Sequence, residues 1–596
     1  MVAYGIAGAL MVAGVFLLYA GSYRNPLVFD DGIIDSILRQ DAAGACAPLG
    51  RRCLPYLTFS LTTLGAGADL FWLRFGNVLC HAMAALACFF FLDRLFDAVR
   101  RAGPPHAEEN SPRRDRLLAF CGALLFAVHP VTVYGVAYLS QRSVVMATLF
   151  SLLGLGAFAR ALALGDRRWL WLSVLLYVMA VFSKEHAVML PAVAAAMAVL
   201  LGKRLPGSRL DWAGLAAVAL CAAAAVTLSV RPIIGAPYED HVRGLKAFEG
   251  AAATMGPYLS SALTQSYLFF KYLLFWLVPY PGWMSIDLRQ PIAGGMLAWP
   301  YAPAAVAFLA YGLAAMLLTL RRGTLGLLGF GLLTPWLLFL TEFVTVRIQE
   351  PFVLYRSYLW MAGFPAILPF VMRRWPARRI VAGCAVLALA FSVGARDRLA
   401  TFSSELALWD DAVRKNTNLS LDFVARGYVN RAAALLRVHR LDEALADLDI
   451  ALKLDPRSAH AYTNRGSVRL RMAEAAAALP DFDRAIALGS AFAEPHSERC
   501  AALLMLGQPA RALESCNAAL RLAPAHPTAL SNRALLHMRA QRTQEALADL
   551  DRLLASDPAN AQALYHRGRI HRGLGRTAEA ERDLRRSCKA GFKPAC

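Results

Sequence analysis

Asp30 and Asp31, in the string NPLVFDDGIID, are the first residues along the chain whose types and spacing suit proton transfer. Adjacent carboxylates repel, so one of the two can hold its proton longer and serve as a base. A second reading stands beside this one, since an Asp pair after Pro also caps a helix. Further along, Arg74, Asn77 and His81 recur at i, i+3 and i+7 and so share one helix face. His129 precedes Pro130, Ser140-Gln141-Arg142 forms a tight loop, and Lys184-Glu185-His186 links two apolar segments. Gln265 opens the run QSYLFFKYLL, and Arg347, Gln349, Glu350, Tyr355 and Arg356 gather around a late polar loop. Cations that converge in this way suit a phosphate or pyrophosphate headgroup, with Arg giving bidentate contacts. The blander readings are an ion pair for Lys184–Glu185 and helix-contact histidines for His81 and His129. No spacing matches a transition-metal site, and no Walker loop, G-x-S-x-G elbow, H-E-x-x-H or CxxC occurs.

These residues need apolar helices to hold them. The 596 residues are 57% hydrophobic and only 17% charged, with a mean hydropathy of +0.43. That is too apolar for a soluble chain, for which about 25% charged residues is usual. The apolar residues fill the first two thirds and thin out after Arg396. The net charge of +20 is read as cytoplasmic loops rich in Lys and Arg, not as a nucleic-acid surface, because no basic stripe interleaves with aromatics. Runs near 4–20, 76–97, 117–134, 143–163, 168–183, 186–202, 211–230, 299–320, 324–343, 353–371 and 380–395 predict about eleven membrane spans. A twelfth run, 262–280, carries Lys271 among several Tyr and Trp and is expected to lie in the interface or re-enter. With that segment excluded, the clusters at Arg100–Arg116, Arg160–Arg168, Lys203–Arg209, Arg321–Arg322 and 373–379 share the cytoplasmic side, and the C-terminal domain falls outside.

That domain, 397–596, repeats itself. Asn430-Arg431-Ala432, Asn464-Arg465-Gly466, Glu498-Arg499-Cys500, Asn532-Arg533-Ala534 and His566-Arg567-Gly568 recur every 34 residues, as do Ala444, Ala478, Ala512, Ala546 and Ala580. The period and the small residues resemble the tetratricopeptide repeat, with five repeats near 425–592 forming an all-α solenoid. Such a solenoid binds peptides or proteins and says nothing about chemistry. Cys80, Cys88, Cys121, Cys221 and Cys384 fall in spans; the other six predict the disulfides Cys46–Cys53, Cys500–Cys516 and Cys588–Cys596 in an oxidising compartment.

The strings NPLVFDDGIID, LRFGNVLCH, LLFAVHPVTVYGVAYLSQRSVVMATLF and FSKEHAVML occur in that order before the repeats. LVPYPGWMSIDL, YRSYL and SSELALWDDAVRKN follow. Together they resemble the transmembrane and tetratricopeptide-repeat-containing O-mannosyltransferases and their bacterial relatives, over essentially the whole chain. The resemblance implies a GT-C type glycosyltransferase fold for 1–396 and a polyprenyl-phosphate sugar as donor, with an acidic residue of the first external loop at the reacting centre. By position, that residue is Asp30 or Asp31, and the cationic headgroup contacts are Arg142, Lys184 and Arg356, with Arg74, Glu185 and Arg347 beside them. The chain departs from the family around YRSYL, where it has Leu354, Tyr355 and Trp360. The expected activity is inverting transfer to Ser or Thr of an extracytoplasmic protein, from the inner membrane of a bacterium, with the repeats in the periplasm. No cofactor beyond the lipid-linked sugar is required, and a divalent cation is compatible. A glycolipid or polysaccharide acceptor, and a non-catalytic membrane-anchored scaffold, are the two alternatives.

Overall fold

The computed structural model describes residues 2–32, 34, 52–102, 111–202, 209–231, 234, 255–348, 350–421, 423–489 and 492–596. Its elements are helical throughout the described residues, as the apolar periodicity requires. They form two compact units, 1–422 and 423–596. The helix Ala377–Thr401 runs through residue 396, and the helix Glu405–Lys415 belongs to the first unit.

In the first unit, the long helices Leu70–Ala102 and Arg142–Leu164 pack side by side around buried Phe91, Phe96, Leu152 and Phe158. By length and composition, six helices can cross a membrane: Gly5–Ser22, Leu70–Ala102, Leu139–Leu164, Tyr301–Thr319, Gly323–Val344 and Ala377–Thr401. The pair Pro112–Ala127 and Pro130–Val136, bent by 49° at His129-Pro130, makes a seventh if counted as one span. The expectation of eleven spans is therefore corrected to six or seven among the described residues. Length accounts for part of the difference. Arg167–Ser183 has 17 residues, roughly 26 Å of helix, against a hydrocarbon core of about 30 Å, and Leu190–Leu201 and the apolar stretch Asp211–Ala225 are shorter still. Backbone chemistry accounts for the rest. The run 353–371 is apolar enough, but Gly363, Pro365 and Pro369 leave it as short pieces, Leu354–Arg356, Ser357–Met361, Phe364–Ile367 and Leu368–Val371. The helix Pro257–Leu277 is not among the crossing helices; it buries Ser260, Ser261, Thr264 and Gln265 along with its aromatics.

The second unit is five helical hairpins, from Val424–Arg437 with Leu441–Leu454 to Ala561–Gly573 with Thr577–Lys589. Ala444, Ala478, Ala512, Ala546 and Ala580 are all buried where the two helices of a hairpin meet. Ser458 and Asn560 cap their helices by accepting from the backbone N–H groups of Ala461 and Ala563. The period-34 arginines carry a role that the small residues had concealed. Arg465 donates to Asp481 of its own hairpin (2.7 Å) and to Asp449 of the preceding one (2.8 Å). Arg533 and Arg567 repeat the pattern with Asp549 and Asn517, and with Asp583 and Asp551. In the third hairpin Ser515 stands where the others have Asp, and Arg499 reaches its hydroxyl at 2.6 Å.

That hairpin is also crosslinked, by Cys500–Cys516, and Cys588–Cys596 ties down the C-terminus. The expected pairing Cys46–Cys53 lies outside the described residues, because Cys46 is not among them. The sequence separation of 16 for Cys500–Cys516 corresponds to about 3 kcal/mol of stabilisation through the unfolded state. Adding a reductant to the intact protein should lower the melting temperature of the repeat unit and speed hydrogen exchange in 494–522. Unchanged exchange there would show that the bond contributes nothing.

Candidate functional site

The acidic loop turns tightly before its carboxylates. Phe29 has φ of +56°, an unfavourable backbone for a bulky residue, and leads into the short 3-10 turn Phe29–Gly32. Its ring is held between Tyr138 (5.7 Å between centroids) and Trp409 (5.3 Å). Asp30 lies in that turn, but its side chain is outside the described part of the structure. Asp31 is fully buried. Its carboxylate accepts from the backbone N–H of Ser140 at 2.8 Å, and at longer range from Leu139 and Val28, with Arg74 at 3.9 Å. Burial raises its pKa to about 6, against the opposing pull of the Ser140 N–H and Arg74. Asp31 therefore ties the acidic loop to the Leu139-Ser140 corner. The cap expected at Gly32–Ile37 lies mostly outside the described residues.

Several of the expected headgroup contacts are spent on the protein itself. Arg74 donates to the carbonyls of Asn25 (2.9 Å), Ala137 (2.7 Å) and Pro26. Arg142 donates to Asn77 Oδ1 (2.6 Å), Thr58 Oγ1 (3.0 Å) and the Leu73 carbonyl (2.5 Å), and lies 3.7 Å over the Phe59 ring. Gly76 makes room for it: a Cβ there would sit 3.0 Å from the guanidinium. Asn77 in turn donates to the carbonyls of Val136 and Leu139, both at 3.2 Å. A guanidinium buried among packed helices must satisfy its N–H groups internally, and these two do. Neither can meet a headgroup without first giving up those bonds. The histidines take the blander reading. His81 bridges the Tyr358 hydroxyl (2.6 Å) and the Ala127 carbonyl (2.8 Å), while His129 stacks on Trp276 and bonds its carbonyl at 3.1 Å. Gln265 donates to the Pro351 carbonyl at 2.8 Å.

The remaining predicted residues come together. Glu185 is bonded by Arg52 (3.2 Å), with Lys184 at 3.8 Å. His186 Nε2 lies 2.8 Å from Glu342, whose other oxygen faces Arg356 (3.3 Å) and Arg347 (3.6 Å). Arg356 also donates to the Glu350 carbonyl at 3.0 Å. Gln349 is outside the described residues. Among the described residues, four cations thus stand against Glu185 and Glu342, with Glu350 acting on Arg356 as a third carboxylate, which leaves the cluster net positive and suited to an anion. Arg52 and Glu342 were not singled out from sequence. Glu342 was visible there, as the one charged residue between Arg322 and Arg347 in an otherwise apolar run. Arg52 had no such signal.

Tyr355, next to Arg356, packs its ring on Tyr138 (5.8 Å), which packs on Phe29, next to Asp30. Arg52 and Asp31 moreover hold separate parts of the same loop region to Glu185 and Ser140. An apolar cavity of about 390 Å³ opens between the helices that the Lys184–Met189 link connects, lined by Phe150, Phe158, Tyr177, Leu190, Pro191 and Trp212 among others. Among the described residues no group of three or more His, Cys, Asp or Glu side chains gathers as a metal site.

Lys184 gives the cluster a pH dependence. Burial, with Arg52 next in weight, lowers its pKa to about 7; Glu185 opposes this, and Arg356 and Arg347 add to it. His186 and Glu342 complete the charged and titratable surroundings. The ammonium is thus present below pH 7 and is lost as pH rises through it. Binding of an anionic phosphate probe to the intact protein should weaken between pH 6 and pH 8.5, and Lys184→Met should flatten that profile. A profile equally steep in the variant would place the titration elsewhere.

Comparison with known proteins bears on the second unit. The tetratricopeptide repeat family model matches residues 429–498, 501–558 and 531–591. No curated protein sequence matches the chain. Among solved structures, YrrB, a TPR protein with an unusual peptide-binding site, is 25% identical, covering 31% of this chain and 92% of its own, with a TM-score of 0.25. PilW, a widely conserved type IV pilus biogenesis factor, is 22% identical over 35% of this chain and 91% of its own, with a TM-score of 0.28. For pilF of Pseudomonas aeruginosa the identity is 17%, the coverage 28% and 76%, and the TM-score 0.27. The C-terminal region is an array of tetratricopeptide repeats, a fold that suits a protein partner, joined to a unit of apolar helices compatible with membrane association.

Proposed function

We propose that the chain is a membrane glycosyltransferase that moves a sugar from a polyprenyl phosphate to a Ser or Thr hydroxyl of an extracytoplasmic protein. The observation that carries this reading is the net-positive cluster of Arg52, Lys184, Arg347 and Arg356, in a unit that also holds an apolar cavity between the helices on either side of the Lys184–Met189 link. A lipid phosphate presents that combination of charge and hydrocarbon. The acidic loop supplies the second requirement, a carboxylate near the reacting centre. Asp30 would take the acceptor proton as the hydroxyl attacks the anomeric carbon from the face opposite the phosphate, giving inversion. The cations would stabilise the departing phosphate. The membrane would be the inner membrane of a bacterium, with the repeats in the periplasm, where the two solenoid disulfides suit the oxidising conditions. The repeat array would hold the acceptor protein.

The inward commitment of Arg74 and Arg142 favours one rival, a membrane-anchored scaffold without chemistry. Reconstituted protein given a radiolabelled polyprenyl-phosphate hexose and envelope proteins separates the two. Label that becomes covalently attached to protein and is released by β-elimination is the expected result. Donor binding without any transfer, to protein or lipid, would leave the scaffold; label appearing in glycolipid would change the acceptor.

A further inference from the structure

Among the described residues, the link Lys184-Glu185-His186 holds two buried polar atoms without a hydrogen bond, beside the Lys184 ammonium. Lys184 is 6% exposed, and its ammonium has the Glu185 carboxylate at 3.8 Å, with Arg52, Arg347 and Arg356 adding positive charge around it. The Oε2 atom of Glu185 is buried and has no partner, and so is Nδ1 of His186. Leaving such atoms unmet is costly, and two on consecutive residues, next to a cation, point to a shared ligand. The chemistry of that ligand follows from the donors and acceptors present. His186 Nε2 faces Glu342, a carboxylate that can only accept, so Nε2 carries the proton and Nδ1 offers a lone pair. Nδ1 lies 3.8 Å from Glu185 Oε1, which Arg52 already bonds, so His186 Nδ1 and Glu185 Oε2 are the two acceptors left open. The link therefore offers acceptors for hydroxyl groups and, beside them, a cation for an anion. A bare phosphate would satisfy Lys184 but would be repelled by Glu185. A sugar phosphate satisfies all three.

We propose that Glu185 and His186 accept hydrogen bonds from two neighbouring hydroxyls of the donor sugar while Lys184 holds its phosphate, which makes the link the part of the site that distinguishes a glycosylated lipid from a bare one. This rests on the glycosyl-transfer reading and adds the sugar contacts to it. A neutral hexose with adjacent free hydroxyls is the class of sugar that fits.

The test uses the full chain in nanodiscs and three probes: a short polyprenyl phosphate, the same lipid bearing a neutral hexose, and a deoxyhexose version lacking one of the adjacent hydroxyls. The wild type should bind the hexosyl lipid at least about 10-fold tighter than the bare lipid phosphate, the order expected for hydrogen bonds to a charged acceptor. The deoxy probe should lose most of that preference. Glu185→Gln should bring the two affinities within about 2-fold, yet bind the bare lipid phosphate as tightly as the wild type or tighter, because a repelling charge is gone. His186→Gln gives a second variant in which the preference should fall while bare-lipid binding persists. Equal wild-type affinities for bare and hexosyl lipid, or a deoxy probe bound like its parent, would overturn the proposal and leave the lipid-phosphate site standing. Failure of the wild type to bind any of the three lipids would remove the glycosyl-transfer reading, and the proposal with it.

Discussion

Asp30→Asn should cut sugar transfer by about 10²–10⁴-fold, the contribution typical of a positioned base, while the protein still accumulates in the membrane. Asp31→Ala should fail in a different way. Its buried carboxylate is the acceptor for the N–H groups of Ser140, Leu139 and Val28 and the nearest counter-charge to buried Arg74. Removing one member of such a buried pair costs about 3–5 kcal/mol, so the variant should melt at lower temperature or fail to accumulate. Asp31→Asn keeps an acceptor oxygen and should fall between the two. The pair is therefore tested by two readouts, rate for one residue and thermal unfolding for the other. Wild-type turnover in Asp30→Asn would remove the base, and an unchanged melting temperature in Asp31→Ala would remove the strut.

A comparable loss is expected at Glu342. This carboxylate is fully buried and is shared by His186, Arg356 and Arg347. In Glu342→Ala the two guanidiniums would remain inside the protein, near Lys184, with the internal carboxylate gone. Desolvation of unpaired charge again sets the scale at about 3–5 kcal/mol. Glu342→Gln should recover part of it by keeping an acceptor for His186 and one guanidinium. Thermal unfolding in detergent is the direct measurement. Equal stability of all three proteins would mean that the two arginines find other partners, and the cluster as drawn would be wrong.

Residue type was legible in the sequence further than residue role. Arg142 and Lys184 look alike there, as cations beside apolar runs. What separates them is packing: Arg142 meets Asn77, Thr58 and a carbonyl, whereas Lys184 has no acceptor within hydrogen-bond distance among the described residues, Glu185 lying at 3.8 Å. Those partners come from distant parts of the chain, and no local pattern announces them. The repeats were the opposite case. Each must pack on the next in the same way, so a period of 34 shows directly in Ala444, Ala478, Ala512, Ala546 and Ala580. The aspartates at 447, 481, 549 and 583 obey the same period and were overlooked because they pair with arginines 16 residues earlier. Hydropathy misled most at 353–371, where composition suggested a span and Gly363, Pro365 and Pro369 broke it.

The uneven arginine ladder makes the solenoid a row of unequally coupled springs. A repeat array stores its cooperativity in nearest-neighbour interfaces, so its weakest coupling decides where it yields first. Ser515 and Asn517 put two neutral groups in the third hairpin, where the hairpins before and after it present aspartates to the same arginine positions. Flexing should then concentrate at the border between the third and fourth hairpins, with the blocks on either side moving as stiffer bodies. The Cys500–Cys516 crosslink holds the third hairpin itself together while leaving that border free. An array built this way can change its curvature at one joint without unravelling, and so can close around cargo of more than one girth.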